Sequence, residues 1–152
     1  MTVAVAGVEL AGIEARRYGR RGDRVEPTKI ETNSTVTTVD RLDDTKVQME
    51  FRFTVNYGPA GTIVLTGNLQ LTGEATERDS IVEQWQSKGT MASEVASVVH
   101  SAVVAFCLTE AVVIARDLRL RPPFPIPQIA FGKKGGGKGA KAGVSPAGIE
   151  VA

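Results

Sequence analysis

The 152-residue sequence is poor in the side chains that most often do chemistry. It holds one cysteine, Cys107, one histidine, His100, and one tryptophan, Trp85. A single cysteine excludes an intramolecular disulfide, and with it a secreted, disulfide-stapled scaffold. One histidine and one cysteine do not make the ligand set of a structural zinc site. On a helix the two would share a face but stand about 10 Å apart along the axis, too far for a thiol–imidazole pair. Charge of one sign is also lacking. Lys and Arg total 18 and Asp and Glu 17, so the net charge of +1 at pH 7 names no partner. The N-terminal stretch MTVAVAGVELAG has no basic residue ahead of its apolar run, which makes it a poor signal peptide, and a cytoplasmic location is expected. Large apolar residues are missing from Lys133 to Ala142, which reads KKGGGKGAKA. That composition predicts a flexible tail over 132–152, beyond one domain over 1–131.

What is present is pattern. From Lys46 to Tyr57, Val47, Met49, Phe51, Phe53, Val55 and Tyr57 alternate with Lys46, Gln48, Glu50, Arg52, Thr54 and Asn56. Period two over that length predicts a strand with one buried and one wet face. Gly58 to Gly61 is hairpin-sized, and Ile63, Leu65, Leu69 and Leu71 resume the alternation with Gly67 interrupting. Upstream, Val8 to Tyr18 alternates loosely and reads as a first strand. The segment GRRGDRVEP over 19–27 is a charged loop, and Ile30 to Val39 is a Thr- and Val-rich second strand. Val36 and Val39 take opposite parities there, which a bulge near Thr37-Thr38 reconciles. Leu42 to Thr45 is a turn by composition.

After Gly73 the period changes. Thr76 to Asp79 fits a capping box, Ile81, Val82 and Trp85 fall at helical spacing, and Lys88-Gly89 closes this first helix. A second helix is predicted from Ser93 or Glu94. Its main stripe is read as Val95, Val98, Val99, Ala102, Phe106, Val113 and Ala115, widened by Val103, Val112 and Ile114. A helix apolar on nearly all sides needs more than one partner surface, so a homo-oligomer is expected. The stretch Ala96 to Ala115 is long enough to cross a membrane, but it carries His100, Ser101, Thr109 and Glu110. A carboxylate in a span costs roughly 2.5–3.5 kcal/mol on insertion scales, so no membrane span is expected. Glu110 is expected to pair with an arginine such as Arg52 or Arg116 at an interface. Pro122-Pro123 should end the helix and open an extended strap from Phe124 to Gln128.

No nucleophile–base pair, carboxylate dyad or metal-ligand spacing emerges, so neither catalysis nor a cofactor is expected. The glycine- and lysine-rich run over 135–139 lacks the strand, Ser/Thr and helix that a phosphate loop requires. Basic residues crowd Arg16, Arg17, Arg20 and Arg21, and again Lys133, Lys134, Lys138 and Lys141. They leave open a nucleic-acid- or ribosome-associated protein, against which aromatic residues do not interleave with the basic ones in sequence. A non-catalytic scaffold subunit is the third reading.

One resemblance carries further. The strand motif Phe53-Thr54-Val55-Asn56-Tyr57-Gly58-Pro59 resembles the archaeal members of the SecB-like group of preprotein translocase subunits. So do Ile81-Val82-Glu83-Gln84-Trp85, the helix with Cys107 and Glu110-Ala111, and the run Leu118-Arg119-Leu120-Arg121-Pro122-Pro123-Phe124-Pro125-Ile126-Pro127. The resemblance spans Val8 to Ile129. It implies an α+β fold, a four-stranded antiparallel sheet followed by a short and a long helix. It also implies an ATP-independent holdase that assembles as a dimer or tetramer and binds unfolded or preprotein clients in apolar surface grooves. On this reading Trp85, Phe124, Ile126 and Ile129 line the client groove, and Val99, Val103, Phe106 and Glu110 form the subunit interface. Bacterial SecB is acidic and docks on a motor ATPase through acidic surface, whereas this chain is near neutral with basic ends.

Overall fold

The computed structural model describes residues 2–19 and 29–124. Strands β1 (Ala4–Arg17), β2 (Glu31–Arg41), β3 (Lys46–Asn56) and β4 (Gly61–Thr72) precede helices α1 (Ala75–Lys88) and α2 (Ser93–Leu118). The four strands form one sheet in the order β1-β4-β3-β2, and every neighbouring pair is antiparallel. The chain therefore crosses from one edge of the sheet to the other between β1 and β2. This is the α+β architecture expected from the sequence. The strap residues Ile126 and Ile129, and the tail, lie outside the described residues.

The central strands follow the alternation closely. Val47, Met49, Phe51, Phe53, Val55 and Tyr57 are all buried, as are Ile63, Leu65, Leu69 and Leu71. Their partners in the ladder agree, with Phe53 opposite Leu65 and Met49 opposite Leu69. Val36 and Val39 both reach the core because the β2–β3 register shifts between Val36 and Thr38, as the parity conflict required. Gly67 allows a close approach. A Cβ there would lie 2.0 Å from the carbonyl oxygen of Glu9 and 2.9 Å from the Phe51 ring.

Three details differ from the sequence reading. First, β1 starts at Ala4 rather than Val8, and its pairing with β4 shifts register twice, between Val5 and Gly7 and between Leu10 and Gly12. Those shifts break the period and explain why the strand alternates only loosely. Second, α1 begins two residues earlier than the Thr76 to Asp79 box implied. Glu74 is its N-cap, and Glu77 reaches back to accept the Glu74 amide at 3.4 Å. Third, α2 ends before its prolines. Arg119 takes the left-handed conformation at φ 59°, and its amide donates to Arg116 while that of Leu120 donates to Ala115. The helix thus stops by its own C-cap, and Pro122-Pro123 only prevents it from resuming.

Glu77 also ties α1 to the start of β1. It accepts the Thr2 amide at 3.2–3.3 Å and the Thr2 hydroxyl. The Thr2 hydroxyl holds the Glu77 carboxyl below the ordinary glutamate range, with the Thr2 and Glu74 amides adding to the effect. A depressed folded-state pKa contributes stability above the unfolded pKa and loses it as pH falls through the folded value. Glu77→Gln should therefore flatten the acid limb of the stability–pH profile below the normal glutamate pKa. Denaturant midpoints measured across that range test this, and parallel profiles for the two proteins would contradict it.

Candidate functional site

Helix α2 crosses all four strands and meets β1 most extensively. Its inward stripe is Val95, Val99, Val103, Cys107, Ala111 and Ala115, each buried. The spacing is four throughout, so the stripe winds slowly around the helix instead of following the three-and-four pattern read from sequence. The residues facing the sheet are small near the C-terminal end, where Ala111 and Ala115 let the helix approach closely. Val98, Ala102 and Phe106 are only half-buried, and Val113, placed on the main stripe by sequence, is 44% exposed. By length and composition α2 could span a membrane, yet only 28% of its most apolar window is buried within the chain. Much of its apolar surface has no cover from the described residues.

His100 sets how α2 is turned. Its Nδ1 lies 2.7 Å from the hydroxyl of Ser34 on β2. Ser34 stands opposite Phe53, Phe53 opposite Leu65, and Leu65 opposite Ile13. This row crosses the helix-side face of the sheet at one level. Phe53 and Leu65 are fully buried, while Ile13, at the β1 edge, is 54% exposed. With His100 directed to the β2 side, Ala102 and Phe106 fall on the β1 side of α2, while Val113, two residues from both buried Ala111 and buried Ala115, points away from the sheet. Val5, Val8, Leu10, Ile13 and Ala15 line that same side of β1, and none of them is fully buried. The uncovered apolar flank therefore runs along β1 and the adjoining side of α2. The sequence reading missed this flank, because the two β1 register shifts conceal which of its residues share a face.

The residues singled out for client contact are placed as follows. Trp85 is half-buried on α1 and packs against the core. Phe124 is 41% exposed just past the C-terminus of α2. A shallow cleft of about 220 Å3 lies where Ile81 and Gln84 of α1 meet Ala92 and Val95, so α1 packs beside the start of α2. Trp85 and Phe124 consequently stand at opposite ends of α2 and do not share a groove. The cleft is smaller than the roughly 300–1,000 Å3 typical of small-molecule sites. Of the interface residues, Val99 and Val103 are fully buried against the chain's own sheet, while Phe106 and Glu110 keep surface to offer. Within the chain, Glu110 forms no ion pair with Arg52 or Arg116. Arg52 lies on the opposite face of the sheet, and Arg116 is 3.4 Å from Asp117.

Cys107 is buried, and desolvation, reinforced by Glu110, pushes its thiol up to about 12. A thiol so protonated is inert as a nucleophile. Burial likewise pushes the Tyr57 phenol up to about 12, and its hydroxyl donates to the Arg121 carbonyl at 2.6 Å. That bond fastens the end of α2 to the end of β3. The Ser34–His100 pair is hydroxyl against imidazole, but among the described residues no carboxylate bonds the ring to complete a triad. No cluster of three metal-ligating side chains occurs among the described residues.

No protein-family model matches the sequence, and no curated protein matches it. The fold does have a likeness among solved structures. It is similar to the SecB-like chaperone Rv1957 of Mycobacterium tuberculosis, solved in complex with a ChAD peptide from the Rv1956 HigA1 antitoxin. The TM-score is 0.52 at 8% identity, over 87% of this chain and 94% of that one. The chain thus has the SecB-like fold, a four-stranded antiparallel sheet followed by two helices.

Proposed function

We propose that this protein is an ATP-independent holdase of the SecB-like type that binds unfolded or preprotein polypeptides on apolar surface. The observation that carries the reading is the exposed or half-buried apolar surface of Ile13, Phe106 and Val113 on a fold shared with a chaperone solved with a bound peptide. Apolar surface left wet on a folded chain marks an interaction site. The sequence motifs favour the archaeal branch of that group, a cytoplasmic location and a non-catalytic role. Assembly as a dimer or tetramer fits the same surface. Phe106 and Glu110 belong to the subunit contact in this reading, and Phe124 to the client contact.

Sedimentation and suppression of aggregation of an unfolded model protein, measured on one sample, test the proposal together. An oligomer at micromolar concentration that suppresses aggregation without nucleotide is the expected result. Phe124→Ser should weaken capture several-fold with an unchanged thermal midpoint, because its ring is exposed and contributes little to the core. A monomer that leaves aggregation untouched would sink the reading. Loss of stability in proportion to loss of capture would return Phe124 to the core's edge.

A further inference from the structure

Helix α2 leaves β1 as it runs. It starts beside Val3, just ahead of β1, where Val3 and Val95 line one cleft. It ends past the end of β3, where the Tyr57 hydroxyl donates to the Arg121 carbonyl at 2.6 Å. β1 and β3 are two places apart in the sheet, so the C-terminal part of β1 loses its cover. Ile13 there is 54% exposed, and Ala15, next on the same face, is half-buried. Ile114 borders this gap from the helix. Like Ala102 and Phe106, it directly precedes a residue of the buried stripe and so lies on the β1 side of α2.

The chain itself supplies an occupant. Beyond the C-cap of α2 it stays on the fold: Leu120 packs against the core and Pro123 is buried, while Phe124 is 41% exposed. The sequence continues Pro125-Ile126-Pro127-Gln128-Ile129-Ala130-Phe131, and no charged residue occurs between Arg121 and Lys133. Prolines at 122, 123, 125 and 127 favour polyproline II, which repeats every three residues. With Pro123 buried, Ile126 and Ile129 fall on the same inward face. The reach is sufficient. Tyr57 bonds Gly61, and Gly61 stands opposite Arg17. At about 4.8 Å per strand and about 3.3 Å per residue, Ile13 is about 16 Å from Tyr57. Ile129, at eight residues past Arg121, has up to about 25 Å of polyproline II to cross. So short a tether gives an effective concentration in the millimolar range.

We propose that residues 125–131 lie along this gap in the client-free protein, with Ile126 and Ile129 against Ile114, Ala15 and Ile13, and that a client polypeptide displaces them. The segment is uncharged, apolar and extended, which is the chemistry of an unfolded client, so the two compete for one surface. Its prolines reduce the entropy lost on docking, so a few apolar side chains suffice to hold it. The displacement rests on the holdase function proposed above, whereas the docking does not.

Cross-linking within the full chain tests the docking. A chain with Ile13→Cys and Ile129→Cys, treated with a short bismaleimide, should give an intrachain product, and buried Cys107 does not compete. Thr35→Cys with Ile129→Cys is the control, because Thr35 pairs with Arg52 on the other face of the sheet. Ile126→Asp and an excess of unfolded client should each lower the yield at the Ile13 pair several-fold. Client affinity tests the competition. If the segment covers the gap in about nine chains of ten, Ile126→Asp with Ile129→Asp should tighten capture about tenfold. The proposal is overturned if the Ile13 pair gives no more intrachain product than the control. It is also overturned if the product joins two chains, which would assign the gap to a second copy, or if the aspartate variant captures clients no better than the parent. If neither protein captures a client, the holdase reading fails, and an intrachain product still upholds the docking.

Discussion

Phe53→Ala should lower the free energy of unfolding by about 3–5 kcal/mol, while Arg52→Ala should move it by no more than about 0.5 kcal/mol. The two residues are neighbours on β3 and differ in face. Phe53 is fully buried between Ser34 and Leu65 beneath α2, whereas Arg52 is exposed on the far side of the sheet. Removing the ring loses its transfer free energy. It also leaves a cavity that a sheet pinned on both sides of β3 cannot close. Urea midpoints of the two variants, taken with their m-values, give the comparison directly. Coincident midpoints would mean that the register of the whole sheet is misassigned, since a slip of one residue exchanges the two faces.

Gly67→Ala is expected to be as damaging in the opposite sense, by adding one carbon. The new Cβ would sit 2.0 Å from the Glu9 carbonyl oxygen, which belongs to backbone and cannot swing away. Relief requires β1 to move off β4, which disturbs the ladder where Glu9 faces Asn68 and Leu10 faces Gly67. Overpacking costs typically about 1–3 kcal/mol, and a backbone clash of this depth places the change at or beyond the top of that range. Gly12→Ala provides the control. Its Cβ would meet only the Thr66 hydroxyl at 2.9 Å, a side-chain atom that can rotate. A Gly67→Ala protein as stable as the Gly12→Ala protein would show that β1 is not held against β4 as described.

The sequence by itself determined the sheet's central strands, its bulge and the number of helices. Those features come from local periodicity. Val47 to Tyr57 can bury one face only by alternating, and Val36 and Val39 can both be buried only if a residue is added between them. Gly89 marked the end of α1 for the same local reason, because its φ of 68° suits glycine. Where two local signals competed, the sequence misled. Thr76 looked like the better cap, but Glu77 is drawn to Thr2, 75 residues away, and the box shifts to Glu74. The end of α2 was assigned to its prolines, whereas Arg119 turns the chain first.

Only the tertiary structure decided which side of α2 is left uncovered. An apolar helix carries no mark of its own rotation, and here the rotation follows the single Ser34–His100 bond and the small residues Ala111 and Ala115. Tertiary structure also moved Val99 and Val103 into the core and set Trp85 and Phe124 at opposite ends of α2. It brought the Arg121 carbonyl to Tyr57, 64 positions earlier in the chain, because a buried tyrosine hydroxyl needs an acceptor. Period and composition are properties of neighbouring residues. Which faces meet, and which stay open to a partner, depends on contacts between residues that the sequence keeps far apart.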